Sequence, residues 1–220
     1  MSIANNIKAI KATLPENVTL AAVSKTKPVS DLMQAYETGQ RIFGENKIQE
    51  MADKWEQMPK DIQWHMIGHV QTNKVKYMAP FVALIHGVDS LKLLQEINKQ
   101  AAKNNRVIDC LLQMHIAEEE TKFGLDQEEL AAIFNSVELQ EMKNIKIVGL
   151  MGMATFTDNK DQIKKEFMLL KSIFDKAAEQ KVPNCDLTII SMGMSGDYPL
   201  AIECGSTMVR VGSSIFGGRN

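Results

Sequence analysis

One lysine stands where a buried β-type segment gives way to a loop. Lys25 follows the apolar segment 20–23 after a single serine, and Lys27 lies two residues further on. A lysine at the end of a buried strand is expected to be partly desolvated, which disfavours the ammonium and lowers the pKa of the amine. A neutral amine is the nucleophile that Schiff-base chemistry requires. Lys25 is therefore the candidate nucleophile, with Lys27 as its competitor and a solvated strand-end lysine as the alternative interpretation.

Two segments rich in serine and glycine could bind an anion. Segment 191–196 offers the hydroxyls of Ser191 and Ser195 beside glycines that allow a close approach of the backbone. We expect Ser195 to cap the helix that follows, so that the amide dipoles of that helix point at the anion. Gly212 and Ser213 offer further backbone donors. Together the two segments predict a phosphate-binding site.

Arg210 and the histidines are the remaining polar residues in unusual surroundings. Arg210 lies in the apolar segment 207–211, and a charge among apolar neighbours needs a partner. Two partners are open: a carboxylate inside the fold, or the ring of a bound cofactor. His65 and His69 are four residues apart, but a glycine between them and the lack of a completing ligand argue against a metal. We predict no metal site, and we expect His65 and His115 to line a cavity.

The elements that must position these groups recur along the whole chain as short β-type runs, each followed by a helical pattern. The runs are residues 19–24, 41–43, 63–66, 83–86, 107–114, 146–150, 187–190 and 207–211. Nearly continuous apolar runs are typical of parallel strands that are covered on both faces. The alternation predicts an α/β fold, a single (β/α)8 TIM-type barrel over residues 1–220, with an open doubly wound sheet as the alternative. In a barrel, all of the candidate groups would lie at the C-terminal face.

The composition excludes several classes of protein. The chain has 220 residues, 45% of them hydrophobic and 24% charged, with a formal net charge of −2. These values are ordinary for a soluble globular protein. No basic cluster predicts nucleic-acid binding, and no apolar run approaches the ~20 residues that cross a membrane. Three separated cysteines and the lack of a secretory signal predict a cytoplasmic protein without disulfides.

Several longer motifs resemble a known family. They are VSKTKP around Lys25, FGENKIQE at 43–50, WHMIGHVQTNK at 64–74, HGVDS at 86–90, SMGMSGD at 191–197, GSTMVRVG at 205–212 and IFG at 215–217. In this combination the chain resembles the YggS/PROSC family of pyridoxal 5′-phosphate (PLP) homeostasis proteins. One position departs from the family pattern, because His115 stands where an asparagine is usual, whereas Lys122 and Gly124 fit it.

The resemblance implies a fold-type III PLP-binding barrel that is similar to the barrel domain of alanine racemase. It implies an internal aldimine between PLP and Lys25, with Asn46 near the phenolic oxygen of the cofactor and Arg210 near its pyridine nitrogen. The residues expected around the phosphate are Ser191, Ser195, Gly212 and Ser213. His65 and Met192 complete the expected cofactor-binding set.

The resemblance also implies a regulator of PLP supply rather than an efficient enzyme. Family members are regarded as acting in intracellular PLP homeostasis, often as monomers, without established turnover. An arginine at the pyridine nitrogen has only donors, so it favours the unprotonated ring, which is a poor electron sink. Similar racemases take a second acid or base from an additional domain, which we do not expect in a chain that ends at Asn220. We therefore expect PLP carriage, with PLP-requiring apo-enzymes as candidate recipients.

Two other functions stay open. One is a weak PLP-dependent racemase or lyase that acts on amino acids with Lys25 as its only base. The other is a PLP-free barrel of the class I aldolase type, which would use the same lysine on a sugar phosphate. The position of Lys25 after the first strand counts against the aldolase.

Overall fold

Eight strands, each hydrogen-bonded to the next along the chain, close into a parallel barrel. The computed structural model describes residues 2–119 and 123–218. The strands are β1 Thr19–Val23, β2 Ile42–Glu45, β3 Gln63–Met66, β4 Val82–Val88, β5 Ile108–Gln113, β6 Ile145–Met151, β7 Cys185–Met194 and β8 Met208–Val211. Pairing of β8 with β1, with Val209 opposite Leu20, closes the barrel. This closure confirms the predicted TIM-type barrel and excludes the open sheet.

All eight predicted strands are present, although several bounds differ. β3 spans the predicted residues, whereas β2 continues to Glu45 and β7 continues to Met194. The prediction ended these strands early because polar and glycine residues replace apolar ones at their C-terminal ends. Ser191 and Met192 therefore lie within β7, and not in the loop after it.

Helices cover the outside of the barrel. Among the described residues they are α1 Ile3–Thr13, α2 Val29–Glu37, α3 Ile48–Gln57, α4 Val75–Met78, α5 Leu91–Lys103, α6 Gln127–Phe134, α7 Val137–Glu141, α8 Lys160–Ala178, α9 Tyr198–Glu203 and α10 Ser213–Phe216, with a 3-10 turn at Thr72–Lys74. Within the described ranges, no helix is both long and apolar enough to cross a membrane.

Two apolar cores lie on the two sides of the strand wall. The outer core packs the strands against the helices and includes Phe43, Trp64 and Phe167, all of which are fully buried. The inner core fills the lower part of the barrel with Leu84, Leu111, Val148, Met151 and Met208.

The upper part of the barrel interior is polar. On β4, β5 and β8, an inward apolar residue is followed two positions later by a buried polar one: Leu84 by His86, Leu111 by Gln113, and Met208 by Arg210. Because side chains alternate between the two faces of a strand, each polar residue lies directly above its apolar neighbour. The apolar plug thus supports a polar layer beneath the C-terminal mouth of the barrel.

Candidate functional site

A cavity of about 530 Å³ lies at the C-terminal ends of the strands. Its volume is within the ~300–1,000 Å³ that is usual for small-molecule sites. Six of the nine expected cofactor-binding residues line it, namely Lys25, Asn46, Ser195, Arg210, Gly212 and Ser213. Apolar walls come from Val23, Ile67, Met153 and Phe156. The cavity therefore combines polar groups at defined places with a surface on which a flat ring can pack.

Lys25 enters this cavity from the end of β1. Leu20 and Ala22 belong to the outer core, whereas Val23 lines the cavity, so strand alternation directs the odd-numbered residues inward. Lys25 is half-buried, in agreement with the partial desolvation expected of it. The competing Lys27 also borders the cavity, but its Nζ donates to the carbonyl oxygen of Gly218 at 2.8 Å.

The loops after β7 and β8 are joined by Ser195. Its Oγ accepts hydrogen bonds from the backbone N–H groups of Gly212, at 3.2 Å, and Ser214, at 3.5 Å. The prediction that Ser195 caps the following helix is wrong, because the N-cap residue of α9 is Asp197. The Asp197 carboxylate instead accepts from the Met194 N–H at 2.6 Å and shapes the loop after β7. A hydroxyl and backbone amides from two loops nevertheless meet at one edge of the cavity, as the two segments predicted.

Asn46 is held at the cavity by a close backbone approach. It follows β2 directly, and a Cβ added at Gly68 would lie 2.5 Å from the Asn46 carbonyl oxygen. Only glycine at position 68 allows the loops after β2 and β3 to pack this closely. The packing fixes the half-buried Asn46 beside the cavity.

Arg210 forms the floor of the cavity together with a buried polar chain. It is 3% exposed, and its guanidinium donates to Ser191 Oγ at 2.6 Å, to the Ser191 carbonyl at 2.8 Å and to the Gly152 carbonyl at 3.2 Å. Ser191 Oγ lies 3.0 Å from His86 Nδ1, and His86 Nε2 lies 3.0 Å from His65 Nδ1. We call Arg210, Ser191, His86 and His65 the inner chain.

The donor chemistry of Arg210 fixes the first hydrogen bond of the inner chain: arginine has no acceptor, so Ser191 Oγ accepts from it. We assign the Ser191 hydroxyl proton to the bond with His86 Nδ1, because the hydroxyl then also has an acceptor. In this assignment His86 carries its proton on Nε2 and donates to His65 Nδ1. Burial supports two neutral rings, since it lowers the pKa of His65 to about 3 and that of His86 well below its usual value. Burial also lowers the pKa of Arg210 to about 10, which leaves this residue cationic at neutral pH.

A second buried polar group lies outside the strand wall, beneath the loop that carries Lys25. Lys54 Nζ, on α3, donates to Glu45 Oε1 and Glu50 Oε1, both at 2.7 Å, and to the Ser24 carbonyl at 2.8 Å. Ser24 Oγ donates to Glu45 Oε1 at 2.6 Å, and the Thr26 N–H donates to Glu50 Oε1 at 2.6 Å. We call these residues the outer cluster: Ser24, Thr26, Glu45, Glu50 and Lys54.

The sequence prediction missed the outer cluster, although one signal for it exists. The buried face of α3 contains Ile48, Met51 and Lys54, spaced three residues apart. A lysine in line with two buried apolar residues of a helix requires a buried partner. Glu45 is fully buried, and burial raises the pKa of its carboxyl while Lys54 and Ser24 act in the opposite direction.

Three expected cofactor-binding residues lie away from the cavity. Ser191 and His65 are buried under Arg210 in the inner chain, and Met192 faces the outer core. His115 also fails to line the cavity: it is exposed, and its ring contacts the Glu119 carbonyl oxygen at 3.3 Å. Strand alternation explains Met192, because it follows the inward-facing Ser191 within β7. Lys122, which fits the motif, lies outside the described residues.

The donor set of the cavity fits PLP. An amine at Lys25, an amide at Asn46, a buried guanidinium at Arg210, and hydroxyl and amide donors at Ser195 and Ser213 surround a partly apolar space. By their chemistry, these groups are able to bind an aldehyde, an oxygen anion, a ring nitrogen and a phosphate, the four polar parts of PLP. Among the described residues, no cluster of three or more metal-ligating side chains occurs.

Comparison with known sequences identifies relatives over nearly the whole chain. The family described as "Alanine racemase, N-terminal domain" matches residues 1–220. The pyridoxal phosphate homeostasis protein of Aquifex aeolicus is 40% identical over 201 residues, which cover 91% of this chain and 86% of the relative. The protein of the same name from Synechocystis is 39% identical over 212 residues, covering 96% and 95%.

Comparison with solved structures also identifies matches that cover nearly the whole chain. PipY of Synechococcus elongatus, a COG0325 family member solved with PLP bound, superposes with a TM-score of 0.89 at 33% identity, covering 98% of this chain and 100% of PipY. Alanine racemase from E. faecalis has a TM-score of 0.78 at 16% identity, and the match covers 99% of this chain but 58% of the racemase. The likeness to the racemase is therefore one of fold.

Proposed function

The chain belongs to the family of the pyridoxal phosphate homeostasis proteins, which have the alanine racemase N-terminal fold, and we propose that it binds PLP covalently through Lys25. The observation that carries the proposal is the position of Lys25 at the edge of a cavity that also contains Asn46, Ser195 and Arg210. PLP bound to the relative PipY supports it. In this proposal the resting state is the internal aldimine of Lys25, within a single PLP-binding unit over residues 1–220.

We further propose that the protein holds and releases PLP in the cytoplasm without efficient turnover. The cavity places a donor-only guanidinium, Arg210, on its floor, and three acceptors fix that guanidinium. Near a pyridine nitrogen, such a group favours the unprotonated ring, which is a poor electron sink for carbanion chemistry. PLP-requiring apo-enzymes are the proposed recipients, and the proposed carrier is a monomer.

The decisive experiment is borohydride reduction of the purified protein after incubation with PLP. The expected result is a visible absorbance band that bleaches on reduction and leaves a pyridoxyl group on Lys25 in the peptide map. Lys25→Ala should remove band and adduct, whereas Lys171→Ala, at an exposed ion pair on α8, should keep both. An adduct on Lys27, or no adduct, would contradict the proposal.

The phosphate part of the proposal has its own test. Pyridoxal, which lacks the phosphate, should form the Lys25 adduct far less readily than PLP, because Ser195, Gly212 and Ser213 would have no anion to bind. Ser195→Ala should reduce this preference, since it also removes the hydroxyl that joins the two loops. Equal trapping of pyridoxal and PLP would show that the loops after β7 and β8 do not bind the phosphate.

A weak racemase or lyase is the second candidate, favoured by the presence of His69 in the wall of the same cavity. An imidazole in the same cavity as the lysine could act as a second acid or base. Chiral analysis of common amino acids incubated with the PLP-loaded protein, with Lys25→Ala and His69→Ala for comparison, separates the two functions. Carriage predicts no product that depends on either side chain.

A further inference from the structure

The buried ammonium of Lys54 connects three elements beneath the cavity. It is 6% exposed and donates to the end of β2 through Glu45, to its own helix through Glu50, and to the loop after β1 through the Ser24 carbonyl. Ammonium groups are rarely buried to this degree unless they are fully paired. All three donors of the ammonium have an acceptor here.

Contacts of Lys54 and of its two carboxylate partners fall on the residues immediately before and after Lys25. The Ser24 carbonyl and hydroxyl are bound by Lys54 and Glu45, and the Thr26 N–H is bound by Glu50. The peptide groups on both sides of Lys25 are therefore fixed by one ionic cluster that lies outside the strand wall. The Lys27 N–H donates to the Ser24 carbonyl, which also accepts from Lys54, so the turn around Lys25 is closed on the same carbonyl that the cluster binds.

The backbone at Thr26 has a conformation that needs such support. Its φ is 64°, in the left-handed region that a β-branched residue rarely adopts. Strained backbone persists where surrounding contacts overdetermine it, and it concentrates at functional sites. Here two bonds hold the turn: the short bond from the Thr26 N–H to Glu50 and the bond from the Lys27 N–H to the Ser24 carbonyl.

We propose that Lys54, acting through Glu45 and Glu50, is a positioning residue that fixes the backbone on both sides of Lys25 and so aims the Lys25 amine into the cavity. This inference rests on the proposed function of Lys25 as the PLP-binding lysine. Lys54 itself touches neither the cavity nor the cofactor: it acts on the turn, and the turn acts on Lys25. Bond formation between an amine and an aldehyde depends strongly on such orientation.

The outer cluster has an energetic cost that an apolar packing of the same space would avoid. Glu45 Oε2 is buried and, among the described residues, has no hydrogen-bond partner. Replacing a buried ion cluster by apolar side chains is often neutral or stabilising for a fold. A cluster that keeps an unsatisfied carboxylate oxygen beside the Lys25 turn is therefore better explained by the geometry it imposes than by the stability it provides.

The test uses Glu50, because its side chain is 24% exposed against 7% for Lys54, and we expect substitution of the more exposed residue to disturb the fold less. Glu50→Ala removes the acceptor of the Thr26 N–H, whereas Glu50→Gln keeps an oxygen at the same place. Two rates are measured: amide hydrogen exchange of residues 24–27 in the PLP-free protein, and formation of the borohydride-trapped pyridoxyl adduct on Lys25 at limiting PLP. Glu50→Ala should speed exchange and slow trapping, each by about tenfold, while Glu50→Gln should stay within about threefold of the parent.

Arg106→Met is the matched control for general destabilisation. Arg106 is a half-buried cation that donates to the carbonyls of Ala79 and Val82 at the opposite end of the barrel. The variant should lower the thermal midpoint without changing either rate at residues 24–27. Loss of trapping in Arg106→Met to the same extent as in Glu50→Ala would overturn the proposal, because the effect would then be one of stability.

Failure of the inference and failure of the proposed function give different results. If the parent forms no adduct on Lys25, the proposed function fails. Hydrogen exchange in the PLP-free protein still tests whether the bond from Thr26 N–H to Glu50 fixes the turn. If the parent forms the adduct and Glu50→Ala traps PLP at the parental rate, the positioning role is wrong whatever the exchange rates show. Slow trapping in Glu50→Ala with recovery in Glu50→Gln supports it.

Discussion

Two of the buried polar groups, the outer cluster and the inner chain, compensate the burial of a cation in opposite ways. The outer cluster is ionic, with Lys54 between two carboxylates, and it lies between the strand wall and α3. The inner chain has a single cation, Arg210, which donates into a row of neutral groups that ends at His65. Both groups support residues of one cavity, the first from outside the barrel and the second from inside.

The ionic outer cluster and the largely neutral inner chain depend on different conditions for their stability. In the outer cluster, one ammonium binds two carboxylates, so removal of Lys54 leaves both carboxylates without their counterion. In the inner chain, stability depends on the order of donors and acceptors, because a proton on the other nitrogen of a histidine would leave a buried group without a hydrogen-bond partner. The outer cluster fixes the backbone beside Lys25, whereas the inner chain fixes one side chain, Arg210.

Removal of the cation from the outer cluster should have the largest effect on stability. Lys54→Met leaves Glu45 and Glu50 without their counterion, which should lower the free energy of unfolding by about 3–5 kcal/mol. Urea unfolding at neutral pH measures this loss. Lys54→Met combined with Glu45→Gln should recover part of it, and equal losses in the single and double variants would mean that charge balance does not control the cluster.

Removal of one member of the inner chain should lower the free energy of unfolding somewhat less than removal of Lys54. His86→Leu leaves the Ser191 hydroxyl without an acceptor and His65 Nδ1 without a donor, a loss of about 2–4 kcal/mol. Replacing both histidines by leucine should cost less than the sum of the two single replacements, because no polar group then remains orphaned between them. Additive losses in this double-mutant cycle would contradict the directional chain.

The two groups should also respond to pH with opposite signs. The folded-state pKa of His65 is lowered to about 3, so its contribution is complete above its unfolded value of ~6.5 and is lost as the pH falls towards 3. From pH 7 to pH 5, this loss should be about 2 kcal/mol for His65 alone. Burial raises the pKa of Glu45, so its contribution is present below the unfolded value and is lost as the pH rises through the folded one.

Urea unfolding across pH 4–8 can separate these contributions. His65→Gln should flatten the decline of stability as the pH falls, and Glu45→Gln should flatten the decline that accompanies a rising pH. In the Glu45→Gln background, where the opposing contribution of Glu45 is absent, a stability that does not change between pH 7 and pH 5 would show that His65 is not held neutral in the folded protein.

The smallest expected effect concerns the strained turn. Thr26→Gly should raise the free energy of unfolding by up to about 1 kcal/mol, because glycine adopts a positive φ without steric cost, although it also gains entropy in the unfolded chain. The bond from the residue 26 N–H to Glu50 is retained in this variant. Destabilisation by more than about 1 kcal/mol would mean that the threonine side chain, and not the bond from the residue 26 N–H to Glu50, holds the turn.

Much of the site could be predicted from the sequence, and what was missed has a common cause. The prediction located Lys25 and Ser195 because strand-end lysines and glycine–serine loops have a local signal, whereas Asn46 was expected only from the family resemblance. His65 and Ser191 were expected at the cavity, but they lie beneath it, because an inward-facing polar residue one layer down has the same local pattern as one at the mouth.

The sequence by itself determined the eight strand–helix alternations, the placement of the chemical groups at strand ends, and the family to which the chain belongs. Only the tertiary structure decided which buried polar groups pair. Glu45 and Lys54 come from different elements, and His86 and Ser191 are 105 residues apart along the chain. A hydrogen bond forms only when donor and acceptor come within about 3 Å of each other. Closure of the barrel sets this distance for residues that are far apart along the chain, and the sequence around one of them does not indicate its partner.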